Sequence, residues 1–158
     1  MQKITTCLWF DNNIEEAVSF YTSVFKNSKI TGKTHYGENM PLPKGTVLTM
    51  SFEIEGREFL GLNGGPVFKF SEAISLVVNC ENQEEVDTIW NQLLEGGQPQ
   101  QCGWLKDKFG LSWQVIPTDL LKLQTSNEPE KINRMMGAMM QMVKLDMNIL
   151  KKAYHGEL

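Results

Sequence analysis

The sequence is poor in the residues from which most metal and redox chemistry is built, with two histidines, His35 and His155, and three cysteines, Cys7, Cys80 and Cys102. An odd number of widely spaced cysteines makes neither a disulfide framework nor a paired zinc knuckle, so reduced thiols are expected. No stretch approaches the roughly 18 apolar residues that cross a bilayer. The opening Met1-Gln2-Lys3-Ile4-Thr5-Thr6 also lacks the apolar centre of a secretory signal. A cytoplasmic protein with no membrane partner is expected. Lysine-arginine runs are missing too, and 15 basic residues face 19 acidic ones for a formal net charge of −4. Nucleic acid, which needs a basic track for its phosphates, is therefore not an expected partner. Finally, no Gly-x-Gly-x-x-Gly follows a strand, so the phosphate-cradling turn of a Rossmann-like sheet is not encoded.

What the 158 residues do contain is an internal repeat. Laying Leu8 on Val77 also lays Glu15-Glu16 on Glu84-Glu85, Ala17 on Val86, Phe20 on Ile89 and Tyr21 on Trp90. In both copies an apolar strand runs through a polar turn into a helix whose acids sit in the first turn, where the helix dipole favours them. In the first helix, Ile14, Ala17, Val18, Tyr21 and Phe25 recur at helical spacing. Each copy then continues into a hairpin. Val47–Glu55 and Arg57–Leu62 turn at Glu55-Gly56, and Trp104–Lys108 and Leu111–Ile116 turn around Gly110. The first copy holds more chain between helix and hairpin, and the excess falls in Thr31–Thr46, which reads as a Gly/Pro-bearing loop.

This order predicts an α+β fold of two tandem βαβββ modules, with sheets closing round a shared cavity and helices outside. The paired domain is expected over 1–120, with modules of about 1–66 and 67–120, followed by a helical extension over 121–158. In that extension Thr125-Ser126-Asn127-Glu128-Pro129 is a helix-start signal, and Glu130–Tyr154 carries one stripe of Ile132, Met136, Met139, Val143, Met147, Leu150 and Tyr154. The stripe packs on its own sheet in the first reading, with a dimer contact or a pocket lid as the alternative. Met135, Met136, Met139, Met140, Met142 and Met147, out of nine methionines in all, make this segment more apolar than one packing face consumes. A homodimer is expected on that ground.

Three strings carry a family resemblance: Cys7-Leu8-Trp9-Phe10-Asp11 with Glu15-Glu16-Ala17 and Phe20-Tyr21, Leu62-Asn63-Gly64-Gly65-Pro66 with Phe68-Lys69-Phe70, and Gln101–Gly110 continued by Ser112-Trp113-Gln114. Together they resemble the PhnB-like family, often labelled 3-demethylubiquinone-9 3-methyltransferase, of the vicinal oxygen chelate superfamily of glyoxalase I, extradiol dioxygenases and bleomycin-binding proteins. In metal enzymes of that superfamily, His or Glu ligands come from the first and last strands of the modules. The matching positions here are Thr5, Leu60 or Gly61, Ala73 or Ser75, and Gln114, none of them His, Asp or Glu. Neither a metal nor any other cofactor is expected, and His35 and His155 are placed in a loop and a frayed tail.

Strand alternation puts Thr5, Cys7 and Trp9 on one face against Ile4, Leu8 and Phe10. It puts Ala73, Ser75, Val77 and Asn79 against Ile74, Leu76 and Val78, and Ser112 and Gln114 against Leu111, Trp113 and Val115. The smaller, more polar sets are expected to face the cavity. The candidate ligand-binding residues are Thr5, Cys7, Trp9, Phe52, Asn63, Phe68, Ser75, Cys102, Trp104 and Gln114, with Gln114 and Ser75 as hydrogen-bonding groups and the aromatics as walls. Asn63 has the alternative of serving its Gly-Gly turn, and Lys106-Asp107-Lys108 reads as a solvated, charge-paired hairpin. The function expected is binding of a small apolar or aromatic molecule. The competing reading is an enzyme, either the methyl transfer of the family label or a divalent-metal glyoxalase or dioxygenase reaction.

Overall fold

The computed structural model describes residues 2–158. It divides into two compact units, Met1–Phe70 and Ser71–Leu158. The first contains β1 (Thr6–Phe10), α1 (Ile14–Val24), β2 (Ser28–His35), β3 (Val47–Ile54) and β4 (Arg57–Asn63). The second contains β5 (Ser75–Cys80), α2 (Gln83–Leu94), β6 (Gln98–Pro99), β7 (Trp104–Lys106), β8 (Ser112–Pro117) and three further helices, α3 (Thr118–Gln124), α4 (Pro129–Met139) and α5 (Met147–His155).

Each unit is built on a four-stranded sheet of one topology, β1-β4-β3-β2 in the first and β5-β8-β7-β6 in the second. In each, the first and last strands of the module run parallel and the others antiparallel. These are tandem βαβββ modules, as the repeat predicts.

In the first unit, Leu8, Phe10, Met50, Phe52, Ile54 and Phe59 are buried on the side of the sheet that meets Ile14, Ala17, Val18 and Tyr21 of α1. Gly61 lets the helix approach, since a Cβ there would fall 2.4 Å from the Ile14 side chain. The β3–β4 hairpin turns at Glu55-Gly56, both with positive φ (49° and 75°), the backbone twist that a tight hairpin demands. In the second unit Leu105, Trp113 and Val115 are buried toward Val86, Ile89, Trp90 and Leu93 of α2.

Three expectations are corrected. The Thr31–Thr46 stretch is not loop throughout, because β2 extends to His35 and pairs with β3 from Ser28↔Ile54 to His35↔Val47. Its sequence SKITGKTH has little apolar alternation and lies mostly exposed at the sheet edge, which hides it from a pattern reading. The terminal segment is not one helix. It breaks between Met139 and Met147, where the Asp146 side chain accepts the Ile149 N–H at 3.1 Å and starts a new helix. The buried cluster accordingly joins Met147, Leu150 and Tyr154 of the expected stripe with Leu120, Met135 and Leu145, while Val143 of that stripe is 40% exposed. Among the described residues no helix is long and apolar enough to cross a membrane.

Candidate functional site: the open faces of the two sheets

Each sheet buries one face under its helix and leaves the other open, and the expected site residues divide between those faces. On the first sheet the open face carries two cross-strand rows, Cys7–Leu60–Ser51 and Trp9–Leu62–Thr49. Trp9 is locked there. Its indole N–H donates to the Gly65 carbonyl at 2.9 Å, and Phe68 meets it edge-on at 4.9 Å. Gly64 is a close-approach position, since a Cβ there would lie 2.2 Å from the indole ring. With its one polar atom satisfied inside the unit, the ring offers only apolar surface beyond it. Phe68 and its neighbour Val67 are 62% and 74% exposed, and Thr5 stands exposed just ahead of β1.

On the second sheet the open rows are Ser75–Ser112–Lys106 and Val77–Gln114–Trp104. The Gln114 amide donates to the Ser75 hydroxyl at 2.9 Å. Lys106 pairs with Glu72, whose carboxyl is held below its usual range by the Lys106 hydrogen bond. Ser112, expected on an open face, is fully buried, and its hydroxyl has no hydrogen-bond partner. This second face is therefore the more polar of the two, with Ser75, Gln114 and Lys106 where the first has Cys7, Leu60 and Leu62.

Phe52 and Asn63 leave the candidate set. Phe52 is 1% exposed and stacks on Phe59 at 5.4 Å, on the α1 side of the sheet with Met50 and Ile54. It alternates against Ser51 and Thr49, a parity that the sequence prints and the aromatic type obscures. Asn63 is buried at 3% exposure; its Oδ1 accepts the Ile14 N–H at 3.0 Å and its amide donates to the Val47 carbonyl at 3.0 Å. It caps α1 from across the sheet, and its φ is not positive. Cys102 lies in a left-handed turn (φ 59°), partly buried, with its thiol 3.7 Å from the Met140 sulfur.

The Lys106-Asp107-Lys108 reading is corrected as well. Asp107 is 3% exposed and accepts the Phe109 and Leu111 N–H groups and the Trp113 indole N–H, the last at 2.8 Å. One carboxylate thus holds the whole β7–β8 turn together. Cys80 is buried, and desolvation with the nearby Glu85 pushes its thiol up to about 12, which leaves it inert. His35 ends β2 and His155 ends α5, both exposed, in place of the loop and frayed tail expected for them.

A divalent ion of the kind used elsewhere on this scaffold does not fit the residues present. At the corresponding positions stand the exposed Thr5, the apolar Leu60 or Gly61, and Ser75 and Gln114, which spend hydrogen-bonding capacity on each other. This set offers no imidazole, carboxylate or thiolate. Among the described residues no three His, Cys, Asp or Glu side chains come together as a metal site.

Tandem βαβββ modules, each with a helix over one sheet face, are a fold that this chain shares with several solved structures. The 3-demethylubiquinone-9 3-methyltransferase family model matches residues 2–116, and the chain belongs to that family. A PhnB protein of Bacillus cereus, described as a 3-demethylubiquinone-9 3-methyltransferase, is 40% identical over 73% of this chain and 99% of its own, with a TM-score of 0.67. Protein PA1353 of Pseudomonas aeruginosa shares the fold at 20% identity, over 74% of this chain and 98% of its own, with a TM-score of 0.61. So does the fosfomycin resistance protein FosX of Listeria monocytogenes, solved with Mn(II) and sulfate, at 15% identity over 73% and 92% and a TM-score of 0.54. No curated protein matches the chain.

Proposed function

We propose that the protein binds a small apolar or aromatic molecule at its open sheet faces, above all that of the first sheet, without a conventional metal. The observation that carries this reading is the tethered indole of Trp9. Its N–H is spent on Gly65, its ring is pressed on Gly64 and braced by Phe68, and Leu60 and Leu62 stand beside it on the same open face. A rigid aromatic wall beside aliphatic side chains favours a flat apolar ligand through stacking and desolvation. Thr5 and Cys7 edge this face. Ser75, Gln114 and Trp104 form the polar face of the second sheet, with Cys102 at the turn before Trp104.

The neutral dye N-phenyl-1-naphthylamine tests the reading by fluorescence titration. Saturable binding is expected, weakened about tenfold by Trp9→Ala, the size of one lost aromatic contact. Absence of saturable binding, or an unchanged affinity in Trp9→Ala, contradicts it.

The protein is further proposed to work in the cytoplasm as a homodimer, in keeping with the exposure of Ile4, Val67, Phe68 and Ile74. Light scattering at tens of micromolar, giving the mass of two chains, is the expected outcome. The family description supports a second reading, methyl transfer. Saturable stabilisation by S-adenosylmethionine in a thermal shift assay would favour it over simple binding.

A further inference from the structure

The family match ends at Ile116, and the Bacillus cereus relative is covered almost completely by less than three quarters of this chain. The helices α3–α5 are therefore an addition to the shared scaffold. They have a core of their own, in which Leu120, Met135, Leu145, Leu150 and Tyr154 are buried together. Yet the segment between α4 and α5 is also bonded to the module at two places.

The first is the turn that precedes β7. The Cys102 N–H donates to the Met142 carbonyl at 2.8 Å and the Gly103 N–H to the Val143 carbonyl at 2.7 Å. On its other side this turn is held by β8, through the Val115 N–H to the Gly103 carbonyl at 2.8 Å. Cys102 and Gly103 both have positive φ (59° and 81°), and a Cβ on Gly103 would lie 3.0 Å from the fully buried Leu145 side chain. A left-handed pair of this kind costs conformational energy and persists where its surroundings fix it. The second place is α2. The Gln83 amide donates to the Leu145 carbonyl at 3.0 Å, its carbonyl accepts the Met147 N–H at 2.9 Å, and Lys144 pairs with Asp87 at 2.6 Å.

We infer that Met142–Met147 is a clasp that fixes the Cys102-Gly103 turn and thereby positions Trp104, making Leu145 and Gln83 positioning residues for the open face of the second sheet. Cys102 and Gly103 lie in the loop that joins β6 to β7, whose ladder of Gln98↔Lys106 and Pro99↔Leu105 is closed by the Gln100 N–H to the Trp104 carbonyl at 2.8 Å and the Trp104 N–H to the Gln101 carbonyl at 3.1 Å. The Cys102 and Gly103 N–H groups go instead to the Met142 and Val143 carbonyls, so the appended segment fixes the loop from which Trp104 emerges. That Trp104 also contacts ligand rests on the function proposed above; that the clasp positions it does not.

The test uses the full chain labelled with 5-fluorotryptophan, whose four indole resonances are assigned by single Trp→Phe variants, together with amide hydrogen exchange. In Leu145→Ala and, separately, Gln83→Ala, the Trp104 resonance should shift or broaden and the Cys102 and Gly103 amides should exchange about tenfold faster, as loss of a stabilising contact implies. Trp9, in the other unit, should keep its resonance. Gln83→Glu keeps the acceptor for the Met147 N–H and should fall between wild type and Gln83→Ala. An unchanged Trp104 resonance in both alanine variants, or equal disturbance of Trp9 and Trp104, overturns the inference. Dye titration of the same variants separates the two proposals: failure of wild type to bind refutes the ligand reading and leaves the fluorine result to judge the clasp.

Discussion

The two modules show how one topology can be secured by different means. In the first, the hairpin closes on the left-handed φ values of Glu55 and Gly56, with the Glu55 N–H donating to the Asn27 carbonyl at 2.8 Å. In the second, the corresponding turn is organised by a buried side chain, Asp107, which accepts three hydrogen bonds. The first helix is capped from across the sheet by Asn63, the second locally by Asn82, whose side chain accepts the Glu85 N–H at 2.9 Å while Glu85 reaches back to the Glu81 N–H. The outer strand has eight residues in the first module and two in the second, where the Met142 and Val143 carbonyls accept the N–H groups of the loop that follows it. Duplicated chains keep their layer order because the apolar alternation keeps it; turns, caps and edges are free to find local solutions.

The largest expected contrast is between the hairpins. Asp107→Ala orphans the buried Leu111 N–H, the half-buried Phe109 N–H and the Trp113 indole N–H and should cost about 3 kcal/mol. Gly56→Ala, which strains a single exposed turn position, should cost about 1 kcal/mol. Denaturant unfolding of both variants measures the difference, and equal costs would break the comparison. The caps should differ less. Asn63→Ala removes two buried hydrogen bonds at about 2 kcal/mol, and Asn82→Ala removes one exposed cap at about 1 kcal/mol.

The smallest effect is one of pH, and it belongs to the second unit. Hydrogen bonds from Lys122 and then Lys151 hold Asp119 at about 2, against an ordinary 3.8, and Lys144 followed by Gln83 lowers Asp87. A folded value below the unfolded one means that the Asp119 contribution is complete above 3.8 and is lost as pH falls toward about 2, and that the Asp87 contribution is likewise lost on acidification. Amide exchange in α3 and α5 should therefore rise across that window before exchange in β3 or β4. Simultaneous loosening of both units would contradict the assignment.

Much of this was legible in the residues. The repeat of Leu8 with Val77 and Tyr21 with Trp90 places β1, α1, β5 and α2, and the glycines at 56 and 110 mark both hairpins. Alternation sorts Cys7, Trp9, Ser75 and Gln114 onto open faces correctly. The rest is missed for identifiable reasons. Phe52 is an aromatic at a core parity, Asn63 caps a helix far away in sequence, and Asp107 lies between two lysines that disguise its burial. The Met-rich stripe runs on through a break marked only by Asp146, so Leu145, off the stripe, gives no hint that it meets Gly103.

The central claim is that the open face built around Trp9 is the binding surface. Mapping amide chemical shifts of the full chain during titration with N-phenyl-1-naphthylamine tests it most directly. The account predicts shifts concentrated at Cys7, Trp9, Leu60, Leu62 and Gly64, saturating together and needing about tenfold more dye in Trp9→Ala. Shifts confined to α4 and α5, with the β1 and β4 amides unmoved, would contradict it.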